Sequence, residues 1–254
     1  MDRAFDHACR WARLPSAIAM LLAAPAFAAH PFLTEDPGTQ GTGRFELELG
    51  LAARQGAPDI NGREVGFFPQ LSIGVAPNVD LIAQAFWLSQ TPAQAPAVAG
   101  SGDTLADVKW RFFEKDELAL AVRAGLQLPT GDVATGLGAG RVGYHAIAIV
   151  GWTSGGYALY ANAGYARADQ PGVRANLGVF SVALTRPDDA PLQTFIEAAT
   201  YSNPDPANPQ WPAIARTGVI YAVNTWCDVD VGYQARLNRS ATRAAWLVGA
   251  TLRW

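Results

Sequence analysis

Cysteine is nearly absent from this chain: two in 254 residues, Cys9 and Cys227. Cys9 lies in a basic leader, so the chain beyond it keeps a single thiol and forms no internal disulfide, even in an oxidising compartment. Charge is also thin, 16% of residues where a soluble domain carries about a quarter. Histidine is scarcer still, with only His30 and His145 beyond the leader. There, no apolar run approaches the ~18–20 residues of a membrane helix, and no long segment keeps a helical period. Without the leader, 16 basic residues face 20 acidic ones. That balance, with no basic patch, argues against a nucleic-acid partner.

The leader reads as a secretory signal. Arg3, Arg10 and Arg13 make its positive end, Leu14 to Ala24 its apolar stretch, and Ala26-Phe27-Ala28 its small-residue exit. The expected domains are therefore a signal peptide over 1–28, cut after Ala28, an N-terminal periplasmic segment or partial plug over 29–43, and a main body over 44–254. An uncleaved anchor fails on length and on the small-residue exit. Cys9 precedes the apolar stretch and is not a lipidation site.

What the chain does have is alternation. In its last eleven residues, Trp246, Val248, Ala250, Leu252 and Trp254 share one face of an extended strand, and Ala245, Leu247, Gly249, Thr251 and Arg253 share the other. A period of two over ten or so residues is what a tilted membrane strand needs. Eleven more such segments precede it, near 44–54, 64–76, 78–89, 104–113, 117–128, 142–152, 156–167, 173–184, 192–201, 214–223 and 227–238. Their connections alternate. Those around 76–78, 114–116, 153–155 and 224–226 are tight, and 186–191 is a compact turn bounded by proline. The stretches 55–63, 90–103, 129–141 and 202–213 are long, while those near 168–172 and 239–243 are short. Short turns at one end, longer loops at the other and an even strand number predict an all-β fold: a transmembrane antiparallel barrel of about twelve strands, of outer-membrane type. A soluble sandwich has no reason to sort its loops by parity.

Laid on this map, Trp152, Tyr157, Trp226 and Trp254 fall at the periplasmic rim, and Trp87, Tyr144, Tyr165 and Trp246 at the outer rim, as two belts of membrane-interface aromatics. Charges of both signs take the opposite phase: Glu46, Glu48, Asp80, Asp107, Lys109, Arg111, Arg123, His145, Arg174, Glu197, Arg216, Asp228, Asp230, Arg236 and Arg253. On the lipid side each basic one would cost about 2–4 kcal/mol near the midplane, so their phase assigns them to the lumen. Two roles remain open for them. They pair across neighbouring strands and set register, or they line a path for a polar solute. No ring of one sign stands out.

Catalytic and metal motifs find little support. His145 has no serine at recognisable spacing, His30 sits at the expected new N-terminus, and the pair with Cys227 has no zinc-ligand spacing. Gly136 to Gly140 lacks the lysine and helix of a phosphate loop and reads as a flexible external loop. The oxygens of Asn203-Pro-Asp-Pro-Ala-Asn-Pro209 suggest calcium, but so many prolines read as a stiff surface loop. No enzyme, cofactor or metal is expected.

The stretch Pro31-Phe-Leu-Thr-Glu-Asp-Pro-Gly-Thr-Gln-Gly-Thr-Gly-Arg-Phe-Glu-Leu-Glu48 resembles the start of the outer-membrane family named after the meta-pathway of phenol degradation. Asp107-Val-Lys-Trp-Arg-Phe112, Leu128-Pro-Thr-Gly-Asp132, Gly138-Ala-Gly-Arg-Val-Gly-Tyr144, Gly232-Tyr-Gln-Ala-Arg-Leu-Asn238 and Leu247-Val-Gly-Ala-Thr-Leu-Arg-Trp254 follow in order. The resemblance implies a signal-bearing outer-membrane barrel, often labelled a transporter, linked to passage of aromatic or other small hydrophobic compounds. It carries over no catalytic or ligand residue. The expected partners are outer-membrane lipid, a small-molecule solute, and the barrel-assembly machinery, which would read the terminal strand ending in Trp254. The alternatives are a non-conducting structural or adhesive barrel, a membrane-embedded hydrolase using His145, and a soluble periplasmic β-protein. The polar Thr34-Glu35-Asp36, lying before the first strand, is expected inside the periplasmic mouth as a partial plug.

Overall fold

The computed structural model describes residues 30–57, 61–167, 172–186 and 190–254; the expected signal peptide lies outside them. The described chain forms β1 (Phe45–Ala57), β2 (Gly62–Ala76), β3 (Val79–Gln84), β4 (Trp87–Thr91), β5 (Val98–Ser101), β6 (Thr104–Lys115) and β7 (Leu118–Leu128). These are followed by β8 (Gly143–Ser154), β9 (Tyr157–Arg167), β10 (Asn176–Arg186), β11 (Leu192–Tyr201), β12 (Ala213–Asn224), β13 (Cys227–Arg236) and β14 (Ala244–Arg253). Every pairing is antiparallel, and β1 pairs with both β2 and β14, so the sheet closes on itself. Closure leaves no free edge. Among the described residues no helix is long and apolar enough to cross a membrane, which says nothing about crossing by strands.

The fourteen segments make twelve staves. β3 and β4 lie end to end along β2, while β6 pairs β3 and β5 pairs β4. The interruption at residues 85–86 falls opposite Phe68 and Pro69 of β2, and Pro69 has no N–H to give the ladder, although its carbonyl still takes the Ala85 N–H at 3.0 Å. Beyond it, β4 and β5 extend the hairpin, so much of the stretch 90–103, expected as loop, is strand. Likewise β1 runs to Ala57 and β2 begins at Gly62, which turns most of the expected loop 55–63 into hairpin. Alternation reports which face a residue takes, but not where pairing stops.

One rim carries turns of two residues, at 77–78, 116–117, 155–156 and 225–226. Gly155 and Gly156 both take positive φ, 60° and 77°, as the tightest hairpin turn requires. The other rim carries the longer connections 129–142 and 202–212. Loop 129–142 is anchored rather than loose. Asp103 accepts the amides of Gly131 (2.9 Å) and Ala139 (2.8 Å) together with the Gln127 side chain (2.7 Å), and Leu137 is buried at 2% exposure. At its tip, hydrogen bonds from the Thr135 and Ala134 amides hold the Asp132 carboxyl below the ordinary aspartate range.

Burial is reversed relative to a soluble protein. On β8, Gly143, His145, Ile147, Ile149 and Gly151 are buried and Tyr144, Ala146, Ala148, Val150 and Trp152 are exposed. Across the barrel the buried set includes Glu48, Asp80, Asp107, Lys109, Arg123 and Glu197, while Leu51, Val108, Phe180, Ile196, Val248 and Trp246 stand exposed. Charge inside and apolar surface outside is the opposite of ordinary residue partition.

Candidate functional site

The chain enters the barrel before it begins to build the wall. Residues 30–40 run through the lumen and are gripped at successive points. The His30 ring lies on a window made by Gly50 and Gly249, which face each other across β1 and β14. A Cβ at Gly249 would stand 2.2 Å from His30 Nδ1, and one at Gly50 2.5 Å from its Cδ2. Only a wall stripped of side chains there admits the ring, whose Nδ1 reaches Asp230 Oδ1 at 2.8 Å. Phe32 packs on the inward Phe195 at a centroid distance of 4.5 Å. The amides of Leu33 (2.8 Å) and Thr34 (2.6 Å) and the Thr34 hydroxyl (2.6 Å) all donate to Glu197 Oε1. Glu35 and Asn162 exchange a reciprocal pair, Glu35 N–H to Oδ1 at 2.6 Å and Nδ2–H to the Glu35 carbonyl at 3.0 Å. Pro37 sits where a Cβ on Gly151 would be, and the Gln40 side chain donates to Glu46 at 2.8 Å.

At the centre of this segment, the Glu35 carboxylate closes a buried ion network. Lys109 Nζ lies 3.1 Å from Glu35 Oε2, and Arg123 Nη1 donates to Glu35 Oε1. Arg123, fully buried, also donates Nε–H to Asp107 at 2.7 Å and Nη2–H to Gln70 at 3.0 Å. Asp107 in turn lies 2.9 Å from His145 Nε2, and Gln70 donates to Glu48 at 2.8 Å. The guanidinium fork is thus shared between two carboxylates and an amide from three chain segments, which is how arginine tolerates burial. Two smaller clusters flank it. Arg216 lies 3.7 Å from Glu197 and donates to Gln234 at 2.9 Å, while Arg253 bridges Glu46 (2.7 Å) and Asp228 (2.5 Å).

Of the residues expected in the lumen, Glu46, Glu48, Asp80, Asp107, Lys109, Arg123, His145, Glu197, Arg216 and Asp230 face inward among these clusters. Arg111, Asp228 and Arg253 share that phase near the short-turn rim, where Arg111 meets Glu114 at 3.3 Å. Two depart from expectation. Arg236 ends β13 exposed at the long-loop rim. Arg174 precedes β10 and lines no lumen: its guanidinium donates to the carbonyls of Asn203 (2.9 Å), Pro206 (3.3 Å), Asn208 (3.3 Å) and Asp205 (3.4 Å). The oxygen-rich loop that suggested calcium is therefore wrapped round a cation supplied by the chain itself. Among the described residues, no three His, Cys, Asp or Glu side chains are grouped to hold a metal. The aromatics Trp87, Tyr144, Trp152, Tyr157, Tyr165, Trp226, Trp246 and Trp254 are all exposed, and so are Trp110 and Tyr233 nearer mid-strand.

Several inward residues beyond those expected take part. Arg54 and Glu64 face each other across β1 and β2 and pair at 2.6 Å, with Gln90 donating to Glu64 at 2.8 Å. Both charges lie in the inward phase of their strands, so a strict two-residue count finds them. Gln70 and Asn162 share that phase but carry no charge to draw attention.

The inserted segment separates two spaces. Toward the short-turn rim lies a cavity of about 340 Å³, lined by Asp36, Glu46, Glu48, Asp80, Asp228 and Asp230 against Lys109 and Arg253. On its other side a much smaller space of about 20 Å³ lies beside Leu33, Arg54, Glu64 and Arg216. Acids thus outnumber bases around the cavity on the short-turn side of the segment.

No protein-family profile and no characterised protein matches the chain in sequence. Solved structures match it in fold. An outer membrane channel from Pseudomonas putida F1 superposes with a TM-score of 0.66 at 11% identity, covering 86% of this chain and 99% of that one. The NanC porin follows at 0.58 and 10% identity, covering 81% and 98%. The KdgM porin, solved in complex with disordered oligogalacturonate, stands at 0.56 and 7% identity, covering 82% and 98%. The fold is the closed twelve-strand antiparallel barrel of outer-membrane porins and channels.

Proposed function

We propose that the chain is a bacterial outer-membrane channel for passive passage of small solutes, closed at rest by its own N-terminal segment over 29–43. The observation that carries this reading is the reversed partition: an apolar outer wall that only lipid covers at no cost, round a lumen of paired charge. The porin and channel folds of its structural neighbours support it. We infer that residues 30–40, gripped at mid-height, block the lumen, so that passage requires that segment to move aside. The lining is charged and amide-rich, which favours a small polar solute over the aromatic or hydrophobic compound implied by the family resemblance. We assign no catalytic role. His30 and His145 each face an aspartate, Asp230 and Asp107.

Planar-bilayer recordings of the full chain and of a 30–41 deletion test the reading. The deletion is expected to raise conductance and solute flux several-fold with heat-modifiable gel mobility retained. The filled lumen also suits a second reading, a non-conducting structural or adhesive barrel exposing its long loops. Silence of both proteins in the bilayer would favour that reading, and unchanged flux after deletion would remove the plug. The terminal strand bears on assembly. Trp254 stacks on Phe45 (5.8 Å, 8° between planes) at the seam where β14 meets β1, and we assign it to recognition by the barrel-assembly machinery. Deleting Trp254 should cut the yield of inserted barrel more than it alters conductance per inserted molecule; normal insertion of the truncated protein would refute the assignment.

A further inference from the structure

The lumen networks leave unexplained the arginines of the long-loop rim. Arg63, Arg141, Arg236, Arg239 and Arg243 are exposed there, whereas the exposed described carboxylates are Asp132 and Asp205. Those two acids are already engaged by amides of their own loops. At the short-turn rim the signs balance, Arg44, Lys115 and Arg186 against Glu114, Asp116 and Glu117. Among the described residues the excess of positive charge therefore lies at the long-loop rim.

Within it one cluster is built on the outer wall. Arg63 takes the outward phase of β2 with Val65, and it faces Gln55 across the β1–β2 ladder. From the other side Arg243 Nη2 donates to Gln55 Oε1 at 3.3 Å. Gln55 thus stands between the strand position of Arg63 and the guanidinium of Arg243 at adjoining stave ends, and no ion pair joins either arginine to a described carboxylate. Two residues down β1 from Gln55, Ala53 pairs with Trp246, which is 58% exposed and meets Tyr233 edge-on at 4.9 Å. Cations above an outward aromatic pair are what a side chain set needs at headgroup depth: rings at the apolar boundary, charge just beyond it. On the far side of the barrel Arg167 stands in register with Tyr144, whose ring lies 6.5 Å from that of Tyr165.

We propose that the Arg63–Gln55–Arg243 cluster, seated above Trp246, holds the phosphorylated headgroup of an anionic lipid in the leaflet facing the long loops. Planar guanidinium forks match phosphate oxygens in pairs, and Gln55, its oxygen engaged by Arg243, keeps its NH₂ as a further donor. Trp246 and Tyr233 pack against the lipid below its phosphate. The inference rests on the membrane placement proposed above.

The test is native mass spectrometry of the full chain in neutral detergent, titrated with diphosphoryl lipid A, phosphatidylcholine and inorganic phosphate as separate arms. Diphosphoryl lipid A should bind, and the double variant Arg63→Gln/Arg243→Gln should bind it about thirty-fold more weakly, the product expected of two headgroup-level arginines. Arg44→Gln/Arg186→Gln at the other rim should leave binding unchanged. The conservative Arg63→Lys/Arg243→Lys, which keeps charge but loses the fork, should fall between. Heat-modifiable mobility certifies that each variant is folded. Equal retention of phosphatidylcholine, or unchanged affinity in a folded double variant, would overturn the proposal; so would inorganic phosphate competing with the lipid at equal concentration, which would make the cluster a free-anion site. Failure of the wild-type chain to insert into bilayers would bring down the membrane placement as well, whereas insertion with unchanged lipid binding removes this inference alone.

Discussion

The two faces of the same twelve staves obey opposite rules. On β6, Asp107 and Lys109 point inward and are fully engaged, while Val108 and Trp110 point outward and touch little of the protein. Outside, a residue's energy depends chiefly on how well it suits hydrocarbon, with ring pairs such as Tyr233–Trp246 adding local contacts. Inside, residues act as a unit, because each buried charge depends on a partner from another strand or from the inserted segment. A substitution should therefore be judged by its face before its chemistry.

Removing a network member should have the largest effect. Arg123→Ala strips both Asp107 and Glu35 of their shared cation in a buried site, and the expected loss is about 3–5 kcal/mol in urea unfolding of the refolded barrel. The outward neighbour Val122→Ala should cost far less; equal costs would erase the distinction between faces. Next comes Ala148→Arg, which puts a charge on the outer wall near mid-strand of β8. About 2–4 kcal/mol should be lost in lipid, and a neutral result would show that this face does not meet hydrocarbon. The smallest effect on stability, yet the most specific, is expected of Gly50→Val. Its side chain takes the place of the His30 ring, an overpacking worth about 1–3 kcal/mol. The imidazole is expected to leave Asp230, visible as a changed His30 resonance, and the barrel to conduct more readily. An unmoved resonance would show that the wall yields instead.

Much of the wall was legible in the chain. Strand phase assigned Glu48, Asp107, Lys109, Arg123, His145 and Glu197 to one face and Tyr144, Trp152 and Trp246 to the other, since in an extended backbone neighbouring side chains must point to opposite sides. The same rule misplaced Arg174, because phase means nothing once the residue lies beyond its strand, and it left Arg236 at a rim rather than in the lumen. Strand ends near 90–103 were misjudged because pairing continues past Pro69 on the far side of a local break. Glu35 drew notice only as part of a polar segment. Its contacts with Lys109 and Arg123 span 74 and 88 residues of chain, a separation that no local pattern encodes.

The alternation written into the chain carries the partition between wall faces, the parity of turns and loops, and the even number of staves. Those follow from bonds and sterics that act over a few residues. Closure of the fold is what brings Glu35 to Arg123, makes Gly50 and Gly249 together a seat for His30, and sets Asp36, Glu46, Glu48, Asp80, Asp228 and Asp230 round one cavity. Barrel closure and the threading of 30–40 through it place distant residues at the same height, and height in the barrel depends on the stagger of all the staves together.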